Sequence, residues 1–193
     1  MEVSTPCASI VHGVVQCKMA EYAIDTNDIP AFAPTLKAGD RVLLSGTVYT
    51  ARDAAHKRIV ELMRSAGELP FDLQGAAIYY AGPTPAPPGL PIGSCGPTTS
   101  SRMDPYAPLL LDNGLAAMIG KGPRNAQVID AIIRNKAIYL CAIGGAGALA
   151  AQCITECEVI AFDDLGCESV KRLTFEDFPL IVGIDCSGNT LFA

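Results

Sequence analysis

Apolar runs of strand length recur along the chain, and the polar stretches between them carry either a helical period or turn chemistry. Arg41 to Tyr49 is rich in β-formers and follows the turn Gly39-Asp40, which predicts a strand. Ala76 to Ala81, Leu115 to Ile119, Ala137 to Ile143, Glu158 to Phe162 and Leu180 to Asp185 read in the same way. Ala55, Ile59, Leu62 and Met63 recur at helical spacing and predict a helix from Ala51 to about Ser65, opened by Thr50 and by Asp53 three residues later. A second helix is predicted from Pro105 to Asp112, with Asp104 as its cap and Asn113-Gly114 as its stop. A third, begun by Pro123, shows Val128, Ile129, Ile132 and Ile133 on one face. Thr26 to Ala38, with Pro30 and Pro34, reads as a loop, as does the Pro-rich Gly82 to Gly89. Strands alternating with helices predict an α/β fold with a mixed sheet and flanking helices.

At 193 residues and 50% hydrophobic, the chain is sized for one domain and one core. Residues 1–20 show no clean period and are expected to form an arm or leading strand ahead of a domain spanning 21–193. A net charge of -6 with 14 Lys and Arg argues against nucleic acid as a partner, so an anionic ligand needs a local cationic site. Eight cysteines, several inside apolar runs, suggest reduced buried thiols more than a disulfide framework. The N-terminus shows no signal-peptide pattern, and the longest uncharged run, Ala137 to Ala151, is short of the about 20 residues of a membrane span. A cytoplasmic chain with no membrane partner is the expectation.

The candidate chemistry collects at turns. Gly96-Pro97 forces a turn, the hydroxyl run Thr98 to Ser101 is too polar for a core strand, and Arg102 stands just before a predicted helix start. Arg52 projects from one strand-to-helix junction and Lys121 from another, where ligands sit in many α/β folds. His56 lies one turn beyond Arg52 and reads as a packed structural histidine or a proton-transfer group. Asp53 and Lys57, at i and i+4, read as a surface pair. Gly145, Gly147 and Ala150 match a dinucleotide fingerprint, but too little chain follows for a Rossmann domain, so close helix packing is preferred. Cys153, Cys157 and Cys167 lack the spacing of a cluster or metal site and read as free thiols, leaving no metal ligand assigned.

Three segments carry a family resemblance. Ser45 to Arg58, Gly96 to Asp104 and Ile119 to Arg124 are similar, in this order, to the C-terminal domain or β subunit of class I iron-sulfur fumarate hydratases and of L(+)-tartrate dehydratases. The stretches Tyr49 to His56 and Gly82 to Ala86 resemble the fumarase branch more. The resemblance implies a single swivelling β/β/α domain that forms half of an active site. A [4Fe-4S] cluster is then held by a partner α subunit and not by this chain, in an α2β2 complex inactive without its partner; a homodimer is a further expectation for the isolated chain. Arg52, Arg102 and Lys121 would grip a small dicarboxylate, and Thr98 would act, with Lys121, at the carbon that loses its proton. His56, Asp53 and Thr99 are accessory candidates. Planar Arg suits a carboxylate, and neighbouring cations would lower the pKa of a Thr hydroxyl, so these roles agree with the residue chemistry. Fumarate hydration is the expected reaction, with tartrate dehydration, or carboxylate binding without chemistry, as alternatives. Cys95 replaces the small inert residue usual in the family and leaves a local redox sensitivity open.

Overall fold

The computed structural model describes residues 20–192 together with the backbone of Ile10, Val11, Val14 and Val15. Most of the predicted arm at 1–20 lies outside the described residues; what is described is a short antiparallel pair, β1 (Ile10–Val11) and β2 (Val14–Val15). β3 (Glu21–Asp25) follows, and the predicted loop after it is partly helical. There the Asp25 carboxylate accepts the Asn27 N–H at 2.9 Å, and Pro30 sits in the first turn of α1 (Ile29–Phe32). Proline at a first turn costs no hydrogen bond, which the loop prediction overlooked.

β4 (Arg41–Thr50) matches the predicted strand and runs parallel to β3. Thr50 does not cap the next helix. Its hydroxyl accepts the Lys171 N–H at 3.0 Å and ties two strands together. α2 (Asp53–Arg64) instead begins after Arg52, and its first-turn Ala54 N–H is satisfied by Glu168 Oε2 at 3.0 Å. β5 (Ala77–Tyr79) leads through the Pro-rich loop into a 3-10 turn over Ser100–Met103. α3 (Ala107–Asp112) starts later than predicted, with Pro108 in its first turn, because the Asp104 carboxylate is drawn away from the capping position. β6 (Ala117–Gly120) and α4 (Ala126–Asn135) follow, and Asn125 caps α4 by accepting the Val128 N–H at 3.0 Å. The chain ends through β7 (Ile138–Cys141), α5 (Gly147–Gln152), β8 (Ile154–Ala161) and the 15-residue β9 (Val170–Ile184).

β9 organises the sheet. It runs antiparallel to β4 along one edge, while its other edge takes β8 in its first half and β7 in its second. β4, β5, β6 and β7 are mutually parallel, so the ladder from β4 through β7 and β9 returns to β4. Alternating side chains then sort to two sides. Val42, Leu44, Tyr79, Ile119, Leu140, Leu173, Phe175 and Val182 fill the enclosed side, with Phe175 stacked on Phe178 at 4.2 Å. Ile78, Tyr80, Met118 and Tyr139 face outward and are covered by Ile59 of α2, Leu110 and Leu111 of α3, and Val128 and Ile132 of α4. Two sheet layers and one helical layer make the β/β/α arrangement, a mixed α/β fold in one unit.

Candidate active site

The parallel strands β4, β5, β6 and β7 all point their C-terminal ends to one edge of the molecule. Arg52 follows β4, Gly82 follows β5, Lys121 follows β6 and Gly144 follows β7. Beyond Tyr80 and Gly120 the segment Pro97 to Ser100 wedges between β5 and β6. Its Thr98 N–H donates to Tyr80 O at 2.7 Å, and its Ser100 N–H donates to Lys121 O at 3.0 Å. The fully buried Ser100 hydroxyl in turn accepts the Lys121 N–H at 2.9 Å. The wedge therefore fixes the backbone of Thr98 and Lys121 against each other. The 3-10 turn that follows returns Arg102 to Thr98, with Arg102 Nη1 3.5 Å from Thr98 Oγ1.

Asp53 sits at the centre of the charges. Arg102 donates Nε to its Oδ1 at 2.9 Å, and its Nη2 lies 2.8 Å from Oδ2 as an ion pair, although Oδ2 accepts no hydrogen bond. Arg52 Nε approaches Asp53 Oδ2 at 3.7 Å, while Arg52 Nη2 is paired with Glu168 Oε1 at 3.0 Å. Lys121 makes no ion pair among the described residues. Three cations against two carboxylates leave the cluster with a net positive charge and one uncommitted ammonium. The predicted Asp53–Lys57 pair is absent, because the half-buried Asp53 carboxylate turns to Arg102, 49 residues away.

The structure thus brings Arg52, Asp53, Thr98 and Arg102 into one contact chain and ties Lys121 to it through the backbone. Thr99 pairs with Lys121 as an isolated bridge, its side chain exposed. His56 is elsewhere. It is fully buried, its Nδ1 lies 3.3 Å from Arg52 O, and its ring packs against Tyr80 and Tyr106. Because a carbonyl only accepts, the ring proton is on Nδ1. Burial lowers its pKa to about 4, so His56 is neutral near pH 7.

Four polar residues beneath the site were not assigned there from sequence: Ser100, Asp104, Arg124 and Tyr139. Arg124 donates Nε to Asp104 Oδ1 at 2.6 Å, a pair with side-chain exposures of 0% and 6%. Tyr139 OH lies 2.9 Å from both Ser100 Oγ and Gly122 O. The Asp104-Pro105 signal read as a helix cap was real in marking a committed carboxylate and wrong about its partner. Glu168, paired with Arg52, had no local signal at all.

The glycines of the dinucleotide-like pattern serve close approach: a Cβ on Gly147 would lie 2.9 Å from Gly96 N, and the Cys95 N–H donates to Gly147 O at 2.9 Å. α5 therefore packs on the Ser94 to Gly96 segment. Among the described residues no three His, Cys, Asp or Glu side chains gather as a metal site, while Cys7 and Cys17 lie outside them. Burial pushes the Cys95 thiol up to about 12 and raises those of Cys153 and Cys157. Cys95 is also fully shielded from solvent, against the redox sensitivity entertained from sequence. No helix among the described residues is long and apolar enough to cross a membrane.

Comparison with known proteins gives the family of the chain. The chain is 43% identical over 154 residues to the anaerobic class I fumarate hydratase of Escherichia coli K12, a match covering 79% of this chain and 28% of that protein. It is 41% identical over 157 residues to fumarate hydratase 2 of Leishmania major, covering 80% and 28%. It is 39% identical over 163 residues to a putative L(+)-tartrate dehydratase subunit beta of Methanocaldococcus jannaschii, covering 81% and 84%. The chain thus corresponds to little more than a quarter of the fumarate hydratases it matches. The family model described as Fumarase C-terminus matches residues 8–193, and the chain belongs to that family.

Proposed function

We propose that this chain is the carboxylate-gripping half of a hydro-lyase that adds water reversibly to fumarate to give (S)-malate. The observation that carries the reading is that one edge of the sheet collects Arg52 after β4, Arg102 on the segment between β5 and β6, and Lys121 after β6, with Arg102 Nη1 3.5 Å from the Thr98 hydroxyl. A dicarboxylate supplies two anionic ends, and separate cations at a strand-end crevice suit such a molecule. Asp53 occupies the Nε edge of Arg102 and orients the guanidinium, leaving Nη1 on the Thr98 side for substrate.

In the dehydration direction, Thr98 in its deprotonated form takes the proton from the carbon next to the one bearing the hydroxyl. The electron pair of that C–H bond becomes the new double bond. The C–O bonding pair departs with the hydroxyl as hydroxide, which takes up one proton to leave as water, and Thr98 gives up the abstracted proton to return to its deprotonated form, so that the cycle balances. Arg102 and Lys121 stabilise both the deprotonated Thr98 and the charge that spreads into the adjacent carboxylate. The [4Fe-4S] cluster belongs to a partner α subunit in an α2β2 complex, and the steps assigned here are those of this chain's own side chains. The isolated chain is inactive in this reading.

One observation favours a second substrate. The match covers 84% of the putative L(+)-tartrate dehydratase subunit beta but 28% of the E. coli fumarate hydratase, so nearly all of the former has a counterpart in this chain. Anaerobic co-expression with the cluster-bearing partner, followed by assay with fumarate, malate and L(+)-tartrate, separates the two. Turnover of fumarate and malate supports the first reading; turnover of tartrate alone replaces it with the second. A complex that turns over none of the three removes both.

A further inference from the structure

Arg124 is a buried cation with no place in the substrate cluster. Its guanidinium has one carboxylate partner, Asp104, and lies 5.3 and 5.1 Å from the ring centres of Tyr80 and Tyr139. Its Nη2 has no hydrogen-bond partner. A buried ion pair of this kind gives little net stability, since desolvation offsets the attraction, and apolar residues of similar volume often do as well. Its neighbours show what else it does.

Three of the groups around Arg124, Asp104, Tyr80 and Tyr139, connect it to the segments that carry site residues. Asp104 stands two residues past Arg102, and its Oδ2 also accepts the Asn125 N–H at 2.9 Å. Tyr80 offers the carbonyl that receives the Thr98 N–H. Tyr139 bonds both Ser100 Oγ, which accepts the Lys121 N–H, and Gly122 O. Arg124 itself follows Lys121 by three residues. One side chain therefore links the ends of β5 and β6, the turn that bears Arg102, and β7.

We propose that Arg124, clamped by Asp104 between Tyr80 and Tyr139, is a positioning residue that sets Arg102 and Lys121 relative to Thr98. It touches no substrate atom and acts through the backbones it joins. For its kinetic consequence the inference rests on the function proposed above; its structural content does not.

Two measurements test it. The first uses the full chain alone and reads amide hydrogen exchange in Arg124→Met, which keeps length and removes the charge and the fork. The amides of Thr98, Ser100 and Lys121 should exchange about 10-fold faster or more, while those of the β4–β9 ladder stay within about twofold of wild type. Unchanged exchange at the three site amides, or an equal rise throughout the ladder, overturns the proposal. If Arg124→Met does not fold, Arg124→Lys, which keeps a cation but loses the planar fork, is measured against the same two outcomes.

The second is a kinetic cycle in the complex with the cluster-bearing partner. Arg124→Met should lower kcat/KM about 10²-fold, the scale of a 1 Å misplacement, and this loss should shrink at least about 10-fold in an Arg102→Ala background. A general structural defect gives the same loss in both backgrounds, and that result sinks the positioning role. A wild-type complex without hydro-lyase activity removes the proposed function instead, and the exchange measurement then decides the inference by itself.

Discussion

Gly82→Ala isolates the placement of Arg52 without touching any charged group. Gly82 follows β5 and faces the Arg52 side chain: an added Cβ would lie 2.6 Å from Arg52 Nη1, 3.1 Å from its Cδ and 3.2 Å from the Cys167 carbonyl oxygen. Ordinary contact is about 3.5 Å, so the guanidinium must retreat by about 1 Å. The methyl cannot relieve the contact by moving the other way, because Cys167 O is backbone. Nor is Arg52 free to swing, since Nη2 is held by Glu168 at 3.0 Å and Nε faces Asp53 at 3.7 Å. The displacement therefore passes to the face that meets a substrate carboxylate. A 1 Å misplacement is worth about 10² in rate, so kcat/KM should fall about 10²-fold, or about 2.7 kcal/mol of transition-state binding. The fold should lose less, at the low end of the about 1 to 3 kcal/mol usual for overpacking, because most of the strain falls on a long flexible side chain. Gly144→Ala is the control, since its Cβ would meet Lys121 Cδ at an ordinary 3.5 Å. Steady-state hydration of fumarate by the two complexes, with thermal unfolding of each chain, checks the reasoning. A Gly82→Ala complex with wild-type kcat/KM, or a Gly144→Ala complex that is the more impaired, would refute it.

Thr98→Val keeps the shape and removes the hydroxyl, and should lower kcat about 10²-fold or more with KM nearly unchanged; a raised KM with kcat intact would demote Thr98 to a binding group. Arg102→Ala removes a charged contact and leaves Asp53 with only the longer approach of Arg52, so substrate or transition-state binding should weaken by about 2 to 5 kcal/mol, read from kcat/KM; a change under twofold would remove Arg102 from the site. His56 supplies a pH dependence of stability with a defined sign. Unfolded, its imidazole takes up a proton below about pH 6.5, whereas the buried ring resists one until about pH 4. Its contribution is complete above the unfolded value and is lost as pH falls from about 6.5 to about 4, by about 3 kcal/mol if the full shift is realised. Denaturant unfolding of wild type and His56→Phe across that window checks it: the variant's curve should be flatter, and parallel curves would mean the ring is protonated in the folded state.

The strands were legible where both faces are buried. Tyr79 and Tyr80 point to opposite sides of the sheet and both find a core, so β5 reads as one apolar run. β9 is plainest in its second half, Leu180 to Ile184, within a last segment from Val170 that reads as strand-like throughout. Its first half alternates Val170, Leu173 and Phe175 with Arg172, Thr174 and Glu176, because one face there meets solvent, and the polar residues make the strand less plain. β8 has the same character and was truncated in the reading. The closure of the sheet could not be read at all: it pairs Thr50 with Lys171, and no local period encodes a partner so distant in the chain.

At the site, residues that stand alone at strand ends were legible and residues defined by their partners were not. Arg52, Thr98, Arg102 and Lys121 stand out as candidates in the sequence because each lies at a turn or a strand-to-helix junction, Thr98 and Lys121 beside Pro or Gly. Asp53 was assigned to Lys57 because helical spacing offers only neighbours, yet a carboxylate follows the nearest strong donor in space, and that donor is Arg102. Arg124 went unassigned because a lone Arg before a helix reads as solvated. Its burial depends on Tyr80 and Tyr139 arriving from two other strands, which sequence spacing does not express. The residues that would touch substrate are thus short-range features of the chain, whereas those that hold them in place are products of the closed sheet. That division explains why the cationic cluster could be listed in advance and its geometry could not: the spacing between Arg102 and Lys121 is set by the Ser100, Tyr139 and Arg124 contacts beneath them, and each of these joins segments that meet only once β5, β6 and β7 are paired.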